Sequence, residues 1–137
     1  MGSLPSFSLP VIVTCPGKTP FCEKYCYGLK GFFTIEQIRK VNDRRLEATL
    51  SSEFTDIIVE EVLQTRAPAF RLHVIGDFYT PEYVGKWIAI AKRLPNVIFF
   101  GATRSWRCDF LSEPLKVFRS SKTTPTASTL CAFPLPA

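Results

Sequence analysis

The chain has 137 residues, 46% of them hydrophobic and 21% charged, with twelve Phe; that suffices for one domain with a real core and excludes wholesale disorder. No stretch approaches the roughly 18 unbroken apolar residues of a membrane span, and a complete (β/α)8 barrel needs about 200 residues or more, so any barrel here is partial. The net charge of +5 divides into a local +3 in residues 1–50, −1 in 51–100 and +3 in 101–137, with no run of like charges of the kind that marks a nucleic-acid arm.

Short strands alternate with amphipathic helices along the chain. Val11-Ile12-Val13-Thr14 is β-branched and reads as the first strand. It runs into the loop Cys15-Pro16-Gly17-Lys18-Thr19-Pro20, where two prolines and a glycine break regular structure. Thr34 to about Ala48 reads as a helix, with Thr34 and Gln37 in a capping-box pattern. A second helix is expected from Ser52 to about Arg66, with Phe54, Ile57, Ile58 and Val62 on its apolar stripe and Pro68 as its stop.

Phe70 to Ile75 is the second predicted strand. By parity Phe70, Leu72 and Val74 share one face, and Arg71, His73, Ile75 and Asp77 the other. Thr80-Pro81 is a cap followed by a proline at the first helical position, and Val84, Trp87, Ile88 and Ala91 form the stripe of that helix. Leu94-Pro95-Asn96 ends it. Val97-Ile98-Phe99-Phe100 is the near-continuous apolar run expected of a parallel strand. Ser112–Phe118 is a candidate short helix.

The resulting order, β-α-α-β-α-β, implies parallel strands joined by crossovers. The expected fold is therefore α/β with parallel strands. Residues 1–119 form its single domain, and residues 120–137 an irregular Ser/Thr/Pro-rich tail. The third strand then needs a cover for its edge, from the tail or from a second copy in a homodimer.

Five cysteines, an odd number, argue against a disulfide framework. The segment Met1-Gly2-Ser3-Leu4-Pro5 lacks the basic and apolar regions of a signal peptide, so a reducing cytoplasm is the expected compartment. Three of the thiols, Cys15, Cys22 and Cys26, fall within twelve residues directly after the first predicted strand. Thiolates suit zinc or iron–sulfur clusters. A [4Fe–4S] cluster on these three would leave one iron open. A zinc ion would recruit a fourth ligand such as His73. The bland alternative is three unrelated buried thiols. Cys108 and Cys131 have no ligand-like spacing.

Two further segments close the second and third predicted strands. Gly76 lets a ligand approach the backbone, and the Asp77 carboxylate suits an ammonium or caps the loop or the next helix. After the third strand, Arg104 is suited to clamp a carboxylate or phosphate. Thr103 and Ser105 can donate hydroxyl hydrogen bonds, and Trp106 can stack on a base. Arg104 and Trp106, with the N-terminal lysines, also permit a nucleic-acid contact.

The cysteine loop, with Tyr25 before its last thiol, resembles a variant of the radical S-adenosylmethionine cluster loop, here with spacings of six and three residues. Together with His73-Val74-Ile75-Gly76-Asp77-Phe78-Tyr79-Thr80 and Ala102-Thr103-Arg104-Ser105-Trp106, it is similar to the phage-associated gene product 88 family over about residues 8–107. The resemblance implies a radical-SAM-like partial barrel. Cys15, Cys22 and Cys26 would hold a [4Fe–4S] cluster that binds S-adenosylmethionine. Gly76, Asp77, Thr103, Arg104, Ser105 and Trp106 would contact the cofactor. The rival expectations are a zinc- or cluster-stabilised binding module without catalysis and a basic phage accessory protein that contacts nucleic acid.

Overall fold

Four short parallel strands stand side by side in chain order, β1 (Ser6–Phe7), β2 (Ala69–Leu72), β3 (Ile98–Thr103) and β4 (Cys131–Pro134). A computed structural model describes residues 4–113 and 131–134, with the backbone alone at 102, 106 and 131–134. The helices are α1 (Pro20–Tyr25), α2 (Glu36–Thr49), α3 (Phe54–Thr65) and α4 (Pro81–Arg93), with 3-10 turns at Tyr27–Leu29, Gly31–Thr34 and Ser105–Arg107. Residues 109–113 are helical. The remainder of the helix expected to Phe118 lies outside the described residues, as does most of the tail. The fold is mixed α/β around a small parallel sheet.

The register places Ser6 beside Arg71, Ala69 beside Ile98 and Phe100 beside Cys131. Residues 131–134 thus form a strand within the stretch expected to be irregular, and they fill the β3 edge from within the chain. Among the described residues, no helix is long and apolar enough to cross a membrane.

Alternation along the strands decides where the core sits. Phe7, Phe70, Leu72 and Phe99 are buried, while Arg71 and Ile98 on the alternate positions are exposed. The buried side meets α3 and α4, and Trp87 stands at its centre, fully buried. Its ring centroid lies 5.5 Å from Phe7, 5.7 Å from Phe54 and 5.9 Å from Phe70. These are edge-on or tilted pairings, the geometry that aromatic quadrupoles favour. Val84 and Ala91 share this face as expected, joined by Ile90, whereas Ile88 is only partly buried. On α3 the stripe is Phe54, Ile58, Val59 and Val62. Ile57 points outward at 46% exposure.

Four sequence expectations shift for local physical reasons. The first strand is Ser6–Phe7, because Val11–Thr14 folds into a turn instead. Thr14 Oγ1 donates to the Pro10 carbonyl at 2.6 Å, Cys15 N–H donates to the Ile12 carbonyl at 3.2 Å, and Ile12 sits at φ 70. Thr34 does not cap α2. Its hydroxyl donates to the Gly31 carbonyl at 2.7 Å and closes the preceding 3-10 turn, so Ile35 precedes the helix without a side-chain cap. The helix α3 begins at Phe54, two residues later than expected. The second strand ends at Leu72 because His73 takes a left-handed φ of 55. Parity therefore stops applying before Asp77. By contrast, Thr80 caps α4 as expected, its Oγ1 accepting from Tyr83 N–H at 3.2 Å with Pro81 opening the helix.

Candidate functional site

The carboxyl ends of the parallel strands surround one cavity of about 260 Å³. Its wall is built from Val11 and Ile12 after β1, His73 to Asp77 after β2, Arg104 after β3, and the cysteine loop with α1. In an open α/β sheet this is where ligands bind. The loops are pressed together by contacts that need small residues. A Cβ at Gly17 would stand 2.1 Å from the Arg104 carbonyl oxygen, so the cysteine loop lies directly on the β3 end. Gly76 turns at φ 81, where a Cβ would also strike Leu9 at 2.7 Å. Gly17→Ala should therefore destabilise the chain by about 2 kcal/mol through overpacking. A lowered urea midpoint would show it, and an unchanged one would mean the loop is not seated there.

Asp77 ties the strand ends together. It is buried. Its Oδ1 accepts from Phe78 N–H at 2.8 Å and from the Thr103 hydroxyl, and its Oδ2 accepts from Arg104 N–H at 2.8 Å. Its own N–H reaches Thr14 Oγ1 at 3.4 Å. Ser105 completes the network, its N–H donating to Thr103 Oγ1 at 3.0 Å and its hydroxyl to the Phe78 carbonyl at 2.5 Å. Burial pushes the Asp77 carboxyl above its ordinary range, while the bonds from Thr103, Arg104 and Phe78 pull it back down.

The structure thus brings Gly76, Asp77, Thr103, Arg104 and Ser105 to one place, and it uses Asp77, Thr103 and Ser105 first to bind the loops to each other. The side chain of Trp106 lies outside the described residues. His73 is buried, its Nε2 2.7 Å from the Tyr83 hydroxyl and its ring edge-on to Phe78 at 4.7 Å. Burial lowers its pKa from 6.5 to about 3, so it is neutral at neutral pH.

The three clustered cysteines line the same cavity in three different environments. Cys15 follows the Val11–Thr14 turn, and burial pushes its thiol up to about 11. Cys22 lies in the first turn of α1. Thr19 Oγ1 donates to its Sγ at 3.3 Å and accepts from its N–H at the same distance. Burial opposes ionisation there, but the Thr19 bonds and the Arg104 charge outweigh it and lower the thiol's pKa. Cys26 ends the helix, its N–H bonded to the Cys22 carbonyl at 2.9 Å.

This arrangement overturns the iron–sulfur expectation. Among the described residues, no group of three or more His, Cys, Asp or Glu side chains stands where it could hold a metal ion. The three thiols share a wall without forming a metal-holding group. The residues therefore do not fit a [4Fe–4S] cluster, and the radical S-adenosylmethionine reading falls with it. The zinc-stabilised module falls for the same reason, and His73, one of the fourth ligands considered beside the distant cysteines, is engaged with Tyr83. The nucleic-acid reading leaned on Trp106 and Arg104, and Arg104 lies at the cavity wall with its N–H bound to Asp77.

Sequence reasoning missed much of the wall. Lys18 brings positive charge, and Phe21, Tyr25 and Tyr27 bring rings; Arg71, on the polar face that alternation assigns to the second strand, was the part of the wall already legible. The rings of Phe21 and Tyr25 pair at 4.8 Å, and the Lys24 ammonium lies 5.2 Å from the Tyr25 centroid. The signal was present in Phe21 and Tyr25, one helical turn apart with Lys24 beside Tyr25.

The described residues form an α/β chain with a small parallel sheet and a lined cavity at the sheet's carboxyl ends. Comparison with known proteins gives the family. The Gene product 88 profile matches residues 1–117, and the chain belongs to that family. It is 34% identical to the Gene 88 protein of Mycobacterium phage L5, over 66% of this chain and 43% of the relative. It is 33% identical to the Gene 88 protein of Mycobacterium phage D29, over 66% and 42%. The chain thus spans less than half the length of these curated relatives. No solved structure matches it, so the likeness to a radical S-adenosylmethionine barrel gains no support from a known fold.

Proposed function

We propose that this chain binds a small anionic molecule with a flat apolar part at the carboxyl ends of its sheet. The observation that carries the reading is the pairing of Lys18, Arg71 and Arg104 with Phe21, Tyr25 and Tyr27 around one cavity of about 260 Å³. Rings supply apolar area at low entropic cost, and guanidinium groups pair with carboxylate or phosphate oxygens. The volume sits just below the usual range for drug-sized ligands, which favours a single ring bearing an acid group.

The test uses nitrobenzoate against its neutral counterpart nitrobenzamide, followed by isothermal calorimetry. The acid should bind at least about tenfold more tightly, and raising the salt from low to physiological should narrow the gap. Arg104→Gln should remove most of the preference. Equal affinity for acid and amide, or no binding of either, would sink the reading.

A further inference from the structure

Three thiols face the same cavity as the three cations, yet the wall equips them unequally. Cys15 is half-buried at the cavity wall, and the charge of the buried Asp77 carboxylate opposes a second anion there. Cys22 receives a hydroxyl hydrogen bond from Thr19 at 3.3 Å, and there, unlike at Cys15, the hydrogen bonds outweigh burial. It also lies within the electrostatic reach of Arg104. The Phe21 ring is next to it in the chain and is paired with Tyr25 at the cavity wall. A thiol supported by a donor and a cation, next to aromatic rings, is equipped to attack a soft electrophile that the same cations and rings hold in place.

We propose that Cys22 is a covalent-capture site for small anionic aromatic disulfides. This rests on the reading of the cavity as the seat of an anionic ring compound. In the step, Cys22 gives its proton to water and Sγ attacks one sulfur of the bound disulfide. A Cys22–ligand S–S bond forms while the ligand's own S–S bond breaks. The departing half leaves as a thiolate that carries the electron pair. The ligand disulfide is the co-reactant: one S–S bond is exchanged for another, and the leaving sulfur takes up the electron pair of the bond that breaks. Excess thiol reverses the reaction.

The cavity selects both the residue and the reagent. Cys15, held as a thiol by burial, reacts late. Cys108 is also pushed up, by burial first and then by Asp77 and Asp109, and reacts late as well. A dianionic disulfide is drawn in by Lys18, Arg71 and Arg104, whereas a neutral one of similar size gains only the ring contacts.

The experiment reacts the full, reduced chain with dithiobis(nitrobenzoate), a dianionic aromatic disulfide, and in parallel with the neutral dithiodipyridine. Released thiolate gives the rates, and peptide mass spectrometry maps the first modified residue. The expected result is a fast first equivalent on Cys22 that is absent in Cys22→Ser. The ratio of anionic to neutral rate should exceed that of the urea-unfolded chain by about tenfold or more. Excess nitrobenzoate should slow the fast phase, because it fills the same cavity. Thr19→Val should slow it about threefold to tenfold. Because Thr19 also caps α1, Arg104→Gln serves as the second variant, and it should lower the anionic-to-neutral ratio in a folded chain. If nitrobenzoate binds but Cys26 or Cys108 is modified first, or the ratio equals that of the unfolded chain, the capture site is overturned and the binding reading stands. If nitrobenzoate does not bind and the ratio is also unchanged by folding, both are overturned.

Discussion

Lowering the pH from about 7 to about 4 is expected to remove roughly 3 kcal/mol of folding stability through His73 alone. The imidazole is buried against Phe78 and Tyr83, and burial lowers its pKa from 6.5 to about 3. The unfolded chain therefore takes up a proton near 6.5, while the folded chain refuses it until about 3. Between those values the unfolded state binds more protons, so stability rises with pH. The contribution is fully present above 6.5 and is lost progressively as the pH falls toward 3. Asp77 acts in the opposite sense. Its raised carboxyl lets the folded chain accept a proton before the unfolded one, so protonation from above its ordinary 3.8 offsets part of the loss. Urea midpoints across this range should slope by up to about 1.4 kcal/mol per pH unit. The slope should flatten in His73→Asn, a residue that tolerates the left-handed φ of 55 at this position. An equally steep slope in that variant would assign the acid sensitivity elsewhere.

His73 also shows where sequence reading stops. The alternation of Phe70, Arg71 and Leu72 gave the strand and its buried side, and Thr80-Pro81 gave the start of α4. Both follow from local chemistry that later packing leaves intact. The strand end did not follow, because a left-handed histidine is set by its enclosure against Phe78 and Tyr83 rather than by propensity. Ser6–Phe7 was invisible as a strand. Two residues carry no periodicity, and the β-branched run after Pro10 offered a better local match that Thr14's bond to the Pro10 carbonyl overrides. The order of the motifs, each after a strand, did bring Cys15, Gly76, Asp77 and Arg104 to one cavity wall at the sheet's carboxyl end. The cysteine spacing could not show whether three thiols on one wall point at a common centre. That is a matter of loop geometry, fixed by the fit of Gly17 against Arg104.

Replacing Asp77 by Ala is expected to cost the largest amount of stability of any single change at the site, about 3–5 kcal/mol. The substitution strands Phe78 N–H, Arg104 N–H and the Thr103 hydroxyl, which all donate to this carboxylate. Each buried donor left without an acceptor costs about 1–3 kcal/mol, and the bonds are shared, so the sum falls short of threefold. Against a total stability of about 5–15 kcal/mol such a loss is severe. Asp77→Asn separates the charge from the bonding. The amide keeps one accepting oxygen but presents an N–H₂ where the second oxygen met a donor, so an intermediate loss of about 1–3 kcal/mol is expected. Thr103→Val removes one donor to the carboxylate and strands the Ser105 N–H that Thr103 Oγ1 accepts, while the carboxylate keeps both backbone donors, so it should cost less than Asp77→Ala. A larger loss in Asp77→Ala than in Asp77→Asn or Thr103→Val, in urea-unfolding midpoints, would identify the carboxylate as the tie between the β2 and β3 ends. The same tie fixes where Arg104 stands, since its backbone is bound to Asp77 and its carbonyl lies against Gly17. Asp77→Asn, if it stays folded, should therefore also weaken nitrobenzoate binding, although the substitution removes a negative charge beside the cavity. An affinity that rises instead would mean that Asp77 acts on an anionic ligand through its charge and not through the position of Arg104.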